Sequence, residues 1–204
     1  MSWNIPRKTV TAAHEIGHAL VAHHFKSEVG YISNIENVDF TKEPHTNSNM
    51  ARIDPFDRRL IFAAGVGGVM FWRRSVAGRI GLNKYGRRAL SGRLGYCLSQ
   101  RGSSKDRKQF ANEHLAEGAP ALSFYASAAK SLEILTDMEP LFVSAMEALQ
   151  EHTFISKFNF EGMVIGRAFD EQENKFEKVK QIDALWFNTK AKRRRWPPRF
   201  FDQA

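Results

Sequence analysis

The stretch Thr11-Ala12-Ala13-His14-Glu15-Ile16-Gly17-His18-Ala19-Leu20-Val21 sets a His-Glu-x-x-His motif inside a run of helix formers, and it constrains the chain more than any other. On a helix, residues four apart are offset by about 40° around the axis and about 6 Å along it, so His14 and His18 can turn ring nitrogens to one metal ion. Glu15, one residue past the first ligand, cannot easily join the same ion. It can reach a water at the open position, which zinc acidifies to a pKa of about 7. The motif therefore predicts Zn2+ as cofactor, His14 and His18 as ligands, and Glu15 as general base in the hydrolysis of peptide bonds. Ala12, Ala13, Ile16, Gly17, Ala19, Leu20 and Val21 make the rest of this helix small or apolar, which suits burial. Gly17 gives up about 1 kcal/mol of helix stability against alanine, so it predicts close backbone packing against a neighbour.

With 204 residues, 43% of them hydrophobic, the chain can bury a core of its own. The predicted layout is one metallopeptidase domain over 1–168 and a charged extension over 169–204. Met1 to Lys8 lacks the apolar stretch of a signal peptide, and no run approaches the roughly 20 apolar residues of a membrane span, so a soluble, cytoplasmic protein is expected. Cys97 is the one cysteine, which excludes an intrachain disulfide and is expected in the core. The net charge of +8 is concentrated. Arg58 to Lys105 carries eleven basic residues and no acid, and a second cluster, Lys190, Lys192, Arg193, Arg194, Arg195 and Arg199, surrounds Trp196 and Pro197. Both the 58–105 segment and the 190–199 tail are candidate sites for an anionic partner, beside the peptide or protein substrate.

In chain order, Thr9 or Thr11 is expected to cap the metal helix, which should run to about Lys26. One or two short strands follow over Val29 to Phe40, a candidate edge for holding an extended peptide, and then a polar loop over Thr41 to Asn49. A second, buried helix should start at Asp54-Pro55 and run through Trp72, with Gly65, Gly67 and Gly68 allowing close approach to the metal helix. Ser75 to Ser104 reads as a long Gly/Arg-rich connection with a short helical turn near Arg87 to Leu94. Helices are predicted near Arg107 to Glu117, Ala121 to Leu135, Glu139 to Glu151 and Phe160 to Ala168. Leu132, Leu135, Leu141, Phe142, Ala145, Met146 and Leu149 then form the core of an antiparallel helical pair. In the extension, Ile182, Leu185, Trp186 and Phe187 offer the one docking patch.

Two histidines leave a catalytic zinc one protein ligand short. His24 stands at the metzincin spacing from His14, although Val21 replaces that motif's glycine, and on a continuous helix His24 lies about 9 Å beyond His18 and about 240° around it. Glu113 or Glu117 on a later helix would give a thermolysin-like site.

Ala13 to Val21 resembles the peptidase domain of the FtsH-type, AAA-linked zinc proteases, whose motif is a helical His-Glu-Ala-Gly-His-Ala. Ala64-Gly65 resembles that family's Ala-Gly-Arg-Ala-Ala-Glu segment, and Gly102-Ser103-Ser104-Lys105-Asp106 resembles its Gly-Ala-Ser-x-Asp. The resemblance covers roughly Thr9 to Ala168 and implies Asp106 as the third ligand. It also implies a mainly helical α+β fold, with a zincin-like metal helix, a small β-sheet and a C-terminal helical bundle. Val66-Gly67-Gly68-Val69 departs from the Arg-Ala-Ala-Glu pattern, and no ATPase segment is present in the sequence, so hydrolysis is expected to be ATP-independent. The alternative is a zinc-stabilised adaptor without hydrolytic activity, against which the intact Glu15 speaks.

Overall fold

The computed structural model describes residues 7–34, 45–79, 96–97, 99, 103–115 and 121–174. Among them, helix α1 spans Arg7–His24, β1 Glu28–Ser33, β2 His45–Asn49, α2 Pro55–Arg79, α3 Ser104–Asn112, α4 Phe124–Asp137, α5 Glu139–His152, β3 Phe154–Ser156 and α6 Lys157–Val164. The fold is mainly helical with one small antiparallel sheet, an α+β arrangement.

Helix α1 starts before Thr9, so neither Thr9 nor Thr11 caps it. It ends two residues before Lys26. Lys26 takes the left-handed conformation at φ 60°, and the Lys26 and Ser27 amides donate to the His23 and Ala22 carbonyls at 2.8 and 2.9 Å. That is a Schellman stop, usually built on glycine. Helix α2 begins as predicted, with the Phe56 amide donating to Asp54 Oδ1 at 2.8 Å. It continues past Trp72 to Arg79.

Helices α1 and α2 pack backbone to backbone. A Cβ on Gly17 would run into the Ala64 carbonyl oxygen, and one on Gly68 would strike the Ala13 carbonyl oxygen and stand 2.9 Å from Gly17 Cα. The glycines thus let the two axes approach more closely than any side chain would permit. Leu60, Ile61, Ala63, Ala64, Val66, Val69, Met70 and Phe71 of α2 are all buried, since α1 covers one side and α4 another. Gly67 faces α4, where a Cβ would come within 3.0 Å of the Ala128 carbonyl oxygen and of Ser131 Cβ.

The sheet order is β2-β1-β3. The 45–49 segment, expected to be loop, is instead a strand paired antiparallel with β1. His-Thr-Asn-Ser-Asn has poor strand propensity, and tertiary pairing overrides it. β1 is paired on both sides at Tyr31 to Ser33, so those residues cannot offer the peptide-binding edge, and β2 has an open side along its length among the described residues. The expected second strand over 35–38 lies outside those residues.

Three-residue β3 was not predicted, because Phe-Ile-Ser is too short to distinguish from a helix start. Leu132, Leu135, Phe142, Ala145, Met146 and Leu149 are buried as expected, and Leu141 is partly buried. They do not form a self-contained pair: α4 packs chiefly on α2, and α5 chiefly on α1. Phe71 meets Phe142 with ring centroids 4.7 Å apart, tying α5 to α2 as well. Beyond α6, the Asn174 side-chain amide accepts from the Ser156 amide at 2.9 Å and donates to the Phe154 carbonyl at 2.9 Å, covering the outer edge of β3. Cys97 is exposed and not a core residue. No helix among the described residues is long and apolar enough to cross a membrane.

Candidate metal centre

His14 and His18 lie one turn apart on α1, with Nε2 atoms 3.1 Å from each other. Asp106, in the first turn of α3, brings Oδ2 to 3.0 Å from His14 Nε2 and 3.6 Å from His18 Nε2. The three side chains are only 12–13% exposed. Among the described residues this is the one group of three or more His, Cys, Asp or Glu side chains placed to hold a metal ion.

Several contacts fix each ligand. The Ile61 carbonyl lies 2.7 Å from His18 Nδ1 and can only accept, so Nδ1 carries the proton and Nε2 of the neutral ring turns its lone pair toward His14 and Asp106. Ile61 reaches His18 because the Gly17–Gly68 contact draws α2 against α1. Gly65 forms the floor: a Cβ there would lie within 2.5 Å of Nε2 of both His14 and His18. Helix α3 is held to α2 by Arg59 stacked 4.0 Å over the Phe110 ring and by an Arg58–Glu113 ion pair at 3.2 Å, and to α4 by Phe110 packed against Phe124.

The donor set fits a small divalent ion. Zinc bonds of about 2.0–2.1 Å in a tetrahedron give ligand-to-ligand edges of about 3.3 Å, close to the edges seen here. Asp106 Oδ2 is buried and makes no hydrogen bond of proper geometry, although both imidazoles stand within ion-pair distance. A buried carboxylate oxygen left without a hydrogen bond, facing two Nε2 atoms that have only each other at 3.1 Å, is what a shared cation resolves.

Electrostatics couple the three groups in the metal-free protein. Burial acts to lower the pKa of His18, but the Asp106 carboxylate overrides it, helped by Glu15 and the Ile61 carbonyl, and raises it to about 9. Burial acts to raise Asp106, and the His18 and His14 imidazoles overcome it, holding the carboxyl well below the usual carboxylate range. A raised histidine stabilises the fold fully below its unfolded value near 6.5 and loses that contribution as pH rises through 9. A depressed carboxyl loses its contribution only as pH falls below its unfolded value near 3.8. Metal-free protein should therefore lose thermal stability between pH 6.5 and 9, as read by melting temperature against pH. Since a metal displaces the His18 proton, its apparent affinity should rise over the same window. A melting temperature flat from pH 6 to 9 in metal-free protein would show that the pair is not coupled.

Glu15 follows His14 on α1 and is 6% exposed. Its Oε2 accepts from the Thr46 hydroxyl on β2 at 3.0 Å. His24, by contrast, is exposed beyond the last turn of the site, its ring against Phe25, and lines a surface hollow with His23, Lys26 and Glu28. Glu113 is committed to Arg58. Glu117 lies outside the described residues, as do the 190–199 tail, the 182–187 docking patch and residues 80–95, 98 and 100–102 of the basic segment, including the turn expected near 87–94. Of that segment, Arg58 and Arg59 serve to hold α3 in place.

Sequence reasoning missed Thr46 and the Ile61 carbonyl. Thr46 sits in a polar stretch with no motif, and a main-chain oxygen carries no sequence signal at all. No protein-family model matches the chain, and no curated protein matches it either.

Proposed function

We propose that the chain is a zinc metallopeptidase of the kind found in FtsH-type proteases, with His14, His18 and Asp106 as ligands and Glu15 as general base. One observation carries the reading: three ligand atoms converge between α1 and α3, with a buried carboxylate on the same helix beside them. Zinc, when bound by three protein ligands, supplies Lewis-acid activation of the water and of the scissile carbonyl.

The chain's own residues do the rest. Glu15 takes a proton from the attacking water and returns it to the leaving amine, a transfer that needs a carboxylate held beside the reacting atoms. His18, locked by Ile61, and His14 keep their lone pairs aimed inward. β2 lies against α1 with its outer edge open among the described residues, and an extended peptide paired there would lie along the site. Nothing in this arrangement calls for a nucleotide.

Glu15→Gln is nearly isosteric and leaves the ligands untouched, but an amide cannot accept the proton. Casein cleavage by the zinc-loaded variant should fall at least about a hundredfold, with zinc content unchanged. Equal cleavage by the wild type and the variant would favour the adaptor.

A further inference from the structure

We propose that Thr46 is the positioning residue for Glu15; the proposal rests on the hydrolase reading above for its catalytic meaning and on geometry for its placement. Thr46 pairs with Ile32 across β1 and β2, and paired residues in an antiparallel ladder share a face. Ile32 is fully buried, so Thr46 turns inward as well, toward α1. An apolar residue is the usual occupant of such a position. A hydroxyl is found instead, directly against the buried carboxylate.

Thr46 Oγ1 lies 3.0 Å from Glu15 Oε2 and 2.6 Å from the Glu15 carbonyl oxygen. A hydroxyl has one proton to donate. It can therefore bond Oε2, or turn to the carbonyl and present a lone pair to Oε2, without the backbone of either element moving. In the first arrangement it holds the carboxylate. In the second it accepts from the carboxylic acid that Glu15 becomes once it has taken the proton of the attacking water. The proton stays on Glu15 until it passes to the leaving amine, and Thr46 keeps its own throughout. The carboxyl group thus keeps one location through both halves of the transfer. Because Thr46 belongs to the open edge strand, that strand also sets where Glu15 stands.

The test compares wild type, Thr46→Val and Thr46→Ser, each zinc-loaded. Valine keeps the shape and removes the hydroxyl; serine restores it. Zinc affinity should stay within about twofold in both variants, since neither touches a ligand. With casein as substrate, Thr46→Val should lose roughly ten- to a hundredfold in kcat with little change in KM, and Thr46→Ser should recover most of it. Crystal structures of the same proteins give a readout independent of turnover. Glu15 Oε2 should leave its wild-type position in Thr46→Val and return to it in Thr46→Ser, with His14, His18 and Asp106 superposing in all three. A Glu15 carboxylate unmoved in Thr46→Val, loss of zinc from that variant, or failure of serine to restore the position would overturn the proposal. If wild type does not cleave casein, the hydrolase reading fails, and the Glu15 position still decides whether Thr46 places it.

Discussion

Gly65→Ala should abolish metal binding while leaving every ligand in the chain. The added methyl would need the space within 2.5 Å of both Nε2 atoms. Helix α2 cannot retreat to make room, because the Gly17–Gly68 contact on one side and the Gly67 contact with α4 on the other hold its backbone in place. The imidazoles must then rotate away, which breaks the His18–Ile61 hydrogen bond and disperses the ligand triangle. We expect zinc affinity to drop by more than about a thousandfold, together with an overpacking cost of about 1–3 kcal/mol. Gly67→Ala is the comparison: its methyl presses on Ala128 and Ser131, so it should cost stability and leave zinc binding intact. Competition with a chromogenic chelator reads both variants. Wild-type affinity in Gly65→Ala would show that the floor is not where the structure puts it.

The metal helix was legible because a single local rule, four residues per near-turn, brings His14 and His18 to one face. The close approach of α2 was legible from Gly17, Gly65 and Gly68, although that Gly65 lies under the imidazoles depends on the relative rotation of two helices, which no local pattern encodes. Asp106 came from resemblance, since the distance in sequence between it and His18 leaves its spatial position undetermined. The polar strand β2 reads as a loop because Thr46 is the one strand former in His45 to Asn49; pairing with β1 makes it a strand, and the hydroxyl of Thr46 finds Glu15 there. The apolar spacing of α4 and α5 identified the core residues correctly. It misassigned their partners, because a helical stripe says which face is buried and not what covers it.

Asp106→Ala removes the one ligand contributed from outside α1. Helix α3 should stay folded in place, since Arg59 and Phe110, Phe110 and Phe124, and Arg58 and Glu113 hold it independently of the site. Loss of the first-turn acid costs about 0.3–1 kcal/mol of helix-dipole stabilisation, and below about pH 9 the variant also loses the stabilising His18–Asp106 coupling. Two imidazoles alone do not make a catalytic zinc site, so the fold should survive while the metal is lost, and His18 should titrate below its raised value once its carboxylate partner is gone. The direct measurement is the zinc content of wild type and Asp106→Ala, purified side by side without chelator and read by elemental mass spectrometry. The His14-His18-Asp106 site predicts about one zinc per chain in the wild type and less than about a tenth in the variant. Less than about half an equivalent in the wild type, unchanged by the substitution, would contradict it.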